Sequence, residues 1–411
     1  MTNLSIDRER LWASLMEMAR IGATPKGGSN RQALTDLDRE GRDLFVRWCR
    51  EAGLTVTVDR MGSIFARRPG RDPDAPPVLA GSHLDTQPTG GKFDGVFGVL
   101  AALEMVRTLN DHGVETDAPI EIVNWTNEEG ARFSPPMVAS GVFAGVFTLE
   151  EGQAKADAEG RTIGEELRRI GYEGEMECTG RAYAAYFEPH IEQGPILERE
   201  GKTIGIVTDA QGARWYEATV TGQEGHAGAT PMEMRQDALV VAARLVGEIR
   251  RIGLDHAPLG RATVGILKVS PGSPNVVPGS VFFMVDLRHP DAGVLEEMHM
   301  ALRETVERTA AELETPVDLK EIWYSPPVMF DHSCVDAVRE AARAYDYSAR
   351  EIVSGAGHDA VYAQRVVPTA MIFIPCEKGL SHNEAENVTP EDVAAGCNVL
   401  LHAVLSRAGA R

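Results

Sequence analysis

The sequence predicts an α/β fold in two parts: a mixed-sheet domain with helices on both faces, and a smaller α+β domain inserted into it. Three observations lead there. Short β-patterned runs alternate with helical ones through the first half of the chain and again after residue 328. The stretch 214–328 instead reads β-α-β-β-α-β, the order of a ferredoxin-like unit. A chain of 411 residues also exceeds what one hydrophobic core usually holds. The expected domains are therefore 1–213 with 329–411, and 214–328.

The elements follow in order. Leu11, Leu15 and Met18 recur at helical spacing, so the first 55 or so residues read as helical. Leu54–Val58 alternates like a strand, and Ser63–Arg67 is a second short one. Val78–Ser82 is an apolar run suited to a buried strand, and Gly95–Leu109 carries a helical apolar stripe. Ile120–Trp125 and Tyr183–Phe187 are strands. In the inserted stretch, strands are expected at Arg214–Thr221, Ala262–Ser270, Ser280–Arg288 and Val317–Tyr324. Its two helices would run from a Thr230 cap with Pro231 at the first position to Ile252, and from Ala292 to Glu314. A helix at Asp336–Tyr345 and a strand at Thr369–Ile374 complete the larger domain.

Composition narrows the class. Hydrophobic residues at 43% and charged residues at 25% are those of a soluble globular protein. No apolar run approaches the ~20 residues of a membrane span, and the N-terminal stretch lacks a secretory pattern. Cys49, Cys178, Cys334, Cys376 and Cys397 are scattered without a CxxC spacing, which reads as reduced thiols in the cytoplasm. A net charge of −20 repels phosphate backbones, so neither nucleic acid nor membrane is an expected partner.

The chemistry gathers where ligands usually bind in α/β sheets, at the carboxyl ends of strands. His83, Asp85 and then Asp94 follow the Val78 strand in GSHLDTQPTGGKFDG. Glu128 and Glu129 follow the Ile120 strand in NWTNEEGARF. His190 and Gln193 follow Tyr183–Phe187 in HIEQGPILE, and His382 follows the Thr369 strand. Any one of these is an ordinary polar loop residue. Four loops bringing metal-type residues to one sheet edge is not ordinary, since His, Asp and Glu are the N and O donors of zinc and its neighbours. Adjacent Glu128 and Glu129 sharpen the point, because paired carboxylates near one site need a cation or a raised pKa. Asp85 is placed to bond the second imidazole nitrogen of His83, and Gly90, Gly91 and Gly95 to let the backbone approach the metals.

These strings, with GQEGHAGATPM and SGAGHDA, resemble the co-catalytic dizinc aminoacylase/carboxypeptidase superfamily. Within it they are similar to the amidase family of N-carbamoyl-L-amino acid hydrolases, β-ureidopropionases and allantoate amidohydrolases. The likeness runs in order from about 80 to 390. Related peptidases usually carry Asp where this chain has His190, which favours the carbamoylase branch.

The resemblance implies two divalent ions, zinc first, with manganese, cobalt or nickel also accepting such ligands. His83 and His190 would hold one, Glu129 and His382 the other, with Asp94 bridging. Glu128 would take a proton from the attacking water and pass it to the leaving nitrogen. His226 would stabilise the oxyanion, reaching into the partner's site in a homodimer, and the inserted domain would act as dimerisation and lid domain. Arg288 would clamp a substrate carboxylate, with Asn275, Gln193, Gly357 and His358 assisting. The implied substrate is a small ureido carboxylate: an N-carbamoyl-L-amino acid or N-carbamoyl-β-alanine. Allantoate, or the N-acyl and dipeptide substrates of related enzymes, are the alternatives.

Overall fold

The computed structural model describes residues 4–409. They form two compact units, one from the residues up to 208 together with those from 329 onward, the other Asp209–Val328.

In the larger unit the backbone of the site is a mixed sheet. Its strands run in the order Thr55–Val58, Ile64–Arg68, Ile120–Trp125, Val78–His83, Ala185–Ile191, Thr369–Ile374, Ile204–Ala210. The four central strands are mutually parallel, and the flanking pairs are antiparallel. Every residue of those four central strands is buried. Such a run has no solvent face, so both sides of the sheet are covered, as parallel sheets require. The helices Val96–Asp111 and Pro390–Ala408 pack against each other and against the central strands, and Asp359–Ala363 packs on Ala185–Ile191 and Thr369–Ile374. Because parallel neighbours end at one edge, the loops after all four strands emerge together.

Two local expectations are corrected here. The N-terminal region is not continuously helical. Helices Arg8–Met18 and Asp36–Glu51 are separated by an irregular segment containing the buried Arg31. The strand expected at Tyr183–Phe187 is shifted to Ala185–Ile191, so His190 lies inside it rather than after it.

The smaller unit has the order Gly212–Thr221, Ala238–Asp255, Arg261–Ser270, Ser280–His289, Ala292–Glu312, Val317–Ser325, which is β-α-β-β-α-β. Its antiparallel sheet places the fourth of these strands beside the first, then the third, then the second. Alternate residues Tyr216, Ala218, Val220 and Val281, Phe283, Val285, Leu287 are buried with Val241, Leu245, Ile249, Leu295 and Leu302 of the helices. Its first helix does not start at Thr230. Asp237 is the cap, accepting the amides of Leu239 and Val240, and Pro231 precedes only the short 3-10 turn Met232–Met234. Arg235 explains the delay: its guanidinium binds the carbonyls of Ala227 and Thr230 and holds that segment in a loop.

Candidate metal centre

Asp94 is the centre of the constellation. Its Oδ1 lies 3.6 Å from Nε2 of His83 and 3.2 Å from Nε2 of His190. Its Oδ2 lies 3.5 Å from Nε2 of His382, which is 3.3 Å from Oε2 of Glu129. Two triads result, His83–Asp94–His190 and Asp94–Glu129–His382, each with its donor atoms within 4.8 Å of one another. The first is fully buried; His382 of the second is exposed. Two residues that deliver these groups, Gln193 and His382, have left-handed backbone, with φ of 56° and 53°. So does Asn127 before Glu128, at φ 58°. Non-glycine residues persist in that region only where their surroundings over-determine them, and they gather at functional sites.

Both buried imidazoles are oriented by main-chain carbonyls. Nδ1 of His83 is 3.0 Å from the carbonyl of Asp85, and Nδ1 of His190 is 3.0 Å from the carbonyl of Ile191. A ring that donates from Nδ1 to a carbonyl leaves Nε2 unprotonated; Nε2 of His190 accepts the Gly95 amide at 3.1 Å. Nε2 of His83 is buried and has no hydrogen-bond partner among the described residues. A buried lone pair of that kind, facing a carboxylate shared with a second imidazole, is what a divalent cation would satisfy.

Asp85 therefore acts otherwise than expected. Its main-chain carbonyl, not its carboxylate, faces the His83 ring; the carboxylate oxygen stays 3.9 Å from Nδ1. The chain turns back after His83, which frees the carboxylate to accept the amides of Glu128 and Glu129, each at 3.2 Å. The glycines stand against side chains, the Gly95 amide 3.1 Å from Nε2 of His190. Gly95 has φ 66°, and a Cβ there would lie 2.3 Å from the His83 ring. A Cβ at Gly91 would lie 1.9 Å from the carboxyl carbon of Glu386. They make room for protein side chains.

Glu128 stands outside both triads, buried, with Oε2 3.4 Å from Nε2 of His83. Burial, then the neighbouring Asp359, Glu129, Asp85 and Asp94, pushes its carboxyl well above the usual range. Burial would raise Asp94 as well, but His190, His83 and His382 around it hold it low and ionised. Two carboxyls of one site are thus driven apart, one toward holding a proton and one toward holding a cation.

The remaining expected residues fall into two groups. In the larger unit, Gln193 donates from Nε2 to Oδ2 of Asp94 at 2.8 Å, and its Oε1 is buried without a partner among the described residues. His358 is buried edge-on to His190, ring centroids 4.4 Å apart, with Nε2 3.1 Å from Oγ of Ser354. Gly357 faces the Met137 side chain. In the smaller unit, Nδ1 of exposed His226 accepts the amides of Gly228 and Ala229 at 3.0 and 3.2 Å, which puts the ring proton on Nε2. The carbonyl of Asn275 accepts the amide of Ala227, so Asn275 and His226 share one two-stranded ribbon. Arg288 is bound to Asp286 through Nε at 3.0 Å and Nη2 at 2.8 Å.

Four positions escape sequence reasoning. Gln87 donates to Glu129 at 2.7 Å. Arg31, fully buried, binds the carbonyl of Leu84; its amide donates to Oγ1 of Thr86 and its carbonyl accepts the Thr86 amide, which braces the loop after His83. Ser381 and Glu386 lie behind Asp94. Glu386 had a signal of sorts, as the last acid of SHNEAE, but a glutamate in a polar loop is indistinguishable from a solvated one without the fold.

The chain is similar to known hydrolases over nearly its whole length. The chain is 53% identical over 406 residues to an N-carbamoyl-L-amino-acid amidohydrolase of Rhizobium meliloti, covering 99% of this chain and 98% of that one. It is 33% identical to a ureidoglycolate hydrolase of Arabidopsis thaliana, over 97% of this chain and 86% of the relative. A solved amidase of the hydantoinase/carbamoylase family from Burkholderia multivorans superposes with a TM-score of 0.94 at 64% identity, covering 98% of both chains. The model of peptidase family M20/M25/M40 matches residues 79–406, a span that holds every residue of both triads, and the chain belongs to that family.

Proposed function

We propose that this protein is a metal-dependent amidohydrolase that removes the carbamoyl group of N-carbamoyl-L-amino acids or N-carbamoyl-β-alanine, releasing the amino acid, carbon dioxide and ammonia. The observation that carries the reading is the pair of triads sharing Asp94, with Glu128 buried beside them and belonging to neither. The Rhizobium relative, named for this reaction, is more similar than the Arabidopsis one.

His83, His190 and Asp94 would hold one divalent ion, and Asp94, Glu129 and His382 a second; zinc, manganese, cobalt and nickel all suit these donors. When bound, such ions supply Lewis acidity toward water and the ureido oxygen. The protein does the rest. Glu128, which burial equips to carry a proton, takes one from the attacking water and delivers it to the departing nitrogen. Asp85 holds Glu128 in place through the main chain. His226, with its proton on Nε2, donates to the oxyanion. Arg288 clamps the substrate carboxylate, exchanging Asp286 for it, and the guanidinium fork suits that group. Gln193, Asn275, Gly357 and His358 line the remainder.

The smaller unit is assigned as a dimerisation and lid domain. Ile266 and Leu267 are exposed on its edge strand Arg261–Ser270, and Val240 and Leu254 on its first helix. A bare strand edge with apolar side chains is a template for a second copy, and the homodimer would carry His226 into the partner's site. Five buried free thiols support a reducing, cytoplasmic location. No helix among the described residues is long and apolar enough to cross a membrane.

The test is ammonia release by metal-loaded protein from N-carbamoyl-L-amino acids, N-carbamoyl-β-alanine, allantoate and N-acetyl amino acids, with a chelated control. Chelator-sensitive turnover of a carbamoyl substrate supports the reading. Turnover of allantoate alone moves the protein to that branch with the same mechanism. Activity on N-acetyl amino acids or dipeptides, with silence on every ureido compound, overturns the substrate assignment.

A further inference from the structure

We infer that Glu386 is a positioning residue for Asp94, setting the carboxylate geometry by which one side chain serves two ions. The inference rests on the dimetal reading above. Glu386 belongs to neither triad and is 2% exposed. Its Oε1 accepts two successive main-chain amides, Phe93 at 2.9 Å and Asp94 at 3.0 Å. Those two bonds fix the peptide planes on either side of the Phe93 α-carbon, immediately before the left-handed turn at Gly95. The direction in which Asp94 projects is decided there.

A second link runs through the side chains. Oγ of Ser381 is 3.2 Å from Oε2 of Glu386 and 2.8 Å from Oδ2 of Asp94. A serine hydroxyl has one proton and two lone pairs. That proton is shared, mainly with Asp94 by the shorter contact and with Glu386 by the longer one. Gln193 donates to the same oxygen at 2.8 Å. Oδ2 is thus held by two donors and Oδ1 is left to face the two imidazoles. The fit is close: the Glu386 carboxyl occupies the space that any side chain at Gly91 would fill. Groups behind metal ligands commonly change metal affinity by about 10- to 100-fold when removed.

The proposal separates from a merely structural clamp by what the metals report. Wild type, E386Q, E386A and S381A would be purified metal-free and titrated with zinc against a chromophoric chelator. Each would also be loaded with cobalt(II) and its visible absorption recorded. Wild type should take up two equivalents. E386Q should keep both, with an unchanged cobalt spectrum, because its amide oxygen still accepts both N–H groups and its nitrogen donates to Ser381. E386A should bind the second equivalent about 10- to 100-fold more weakly and show altered cobalt bands. S381A should shift the bands with a smaller loss of affinity. E386D, which draws the carboxylate back by one methylene, carries the same expectation as E386A and replaces it should E386A fail to fold. Folded E386A or E386D with two equivalents at wild-type affinity and an unchanged spectrum would overturn the inference alone. Wild type taking up fewer than two would overturn the dimetal reading and the inference with it.

Discussion

The main-chain carbonyl of Asp85, 3.0 Å from Nδ1 of His83, decides which nitrogen of that imidazole carries the proton. The same residue's carboxylate accepts the amides of Glu128 and Glu129. One aspartate thus couples the His83 ring on one strand end to the acid pair on the next. His83 and the Glu128–Glu129 pair are consequently built as one piece.

Gly95 should tolerate no side chain. Its backbone is left-handed, and the Cβ of an alanine would lie 2.3 Å from the His83 ring. Either the ring or the turn must move. Gly95→Ala is expected to cut kcat/KM by roughly a hundredfold, the usual effect of misplacing a reacting group by about an ångström. Zinc content should fall with it. Full metal occupancy and normal turnover in that variant would show that the turn relaxes without disturbing His83.

Glu128 and His226 should be separable by mixing. Glu128→Gln should lose about 10²- to 10⁴-fold in kcat with both metals retained, and His226→Ala about 10²- to 10³-fold. If His226 works across a homodimer, subunits of the two variants mixed and re-equilibrated would regain about a quarter of wild-type activity, because half the dimers would hold one complete site. No recovery in a mixture shown to exchange subunits would place His226 in its own chain's site.

Metal removal should destabilise the larger unit. Without cations, buried Asp94 and Glu128 and half-buried Glu129 share one space with only the neighbouring imidazoles to offset them. An ion present at about a hundred times its dissociation constant adds about 2.7 kcal/mol. Melting temperature should drop on chelation and recover with zinc. An unchanged melting curve would count against the centre as a metal site.

Asp59 supplies a pH dependence away from the metals. Its carboxylate accepts the amides of Met61 and Ser63, and burial pushes it up to about 6. The unfolded chain titrates near 3.9. Between those values the folded form binds more proton, so this contribution to stability falls as pH rises from about 4 to 6 and is lost above. The change amounts to about 3 kcal/mol. Asp59→Asn carries no charge to desolvate. Its stability relative to wild type should therefore rise by about that amount from pH 4 to pH 7, measured by urea unfolding. A difference that stays flat across that range would mean the carboxylate is as well solvated folded as unfolded.

How much was legible varied with the kind of interaction. Strands Ile120–Trp125 and Thr369–Ile374 stand where the apolar pattern put them, because a short buried strand is written locally. The helix expected from Thr230 failed because a distant fact won: Arg235 binds the carbonyls of Ala227 and Thr230, and no propensity at Thr230 reveals that. Asp85 beside His83 was read as a pair, and the atom was wrong, since spacing says which residues are near but not which way a turn folds a carbonyl.

The sequence by itself determined the alternation of strand and helix and the residue types at each strand end. It also placed one acid, Glu128, beside another that would face a cation. These are short-range facts, carried by hydrophobic period and by local motifs. The resemblance placed Asp94 between two ligand pairs, and the tertiary structure brought those pairs within reach of its two oxygens. The tertiary structure alone showed that Glu386 and Ser381, nearly three hundred residues further along, bond to Asp94, and that Arg31 braces the His83 loop. Those relationships join segments with no local signature in common. They exist because the central strands run parallel and deliver their loops to one edge, where buried polar groups must find partners from whatever chain is near.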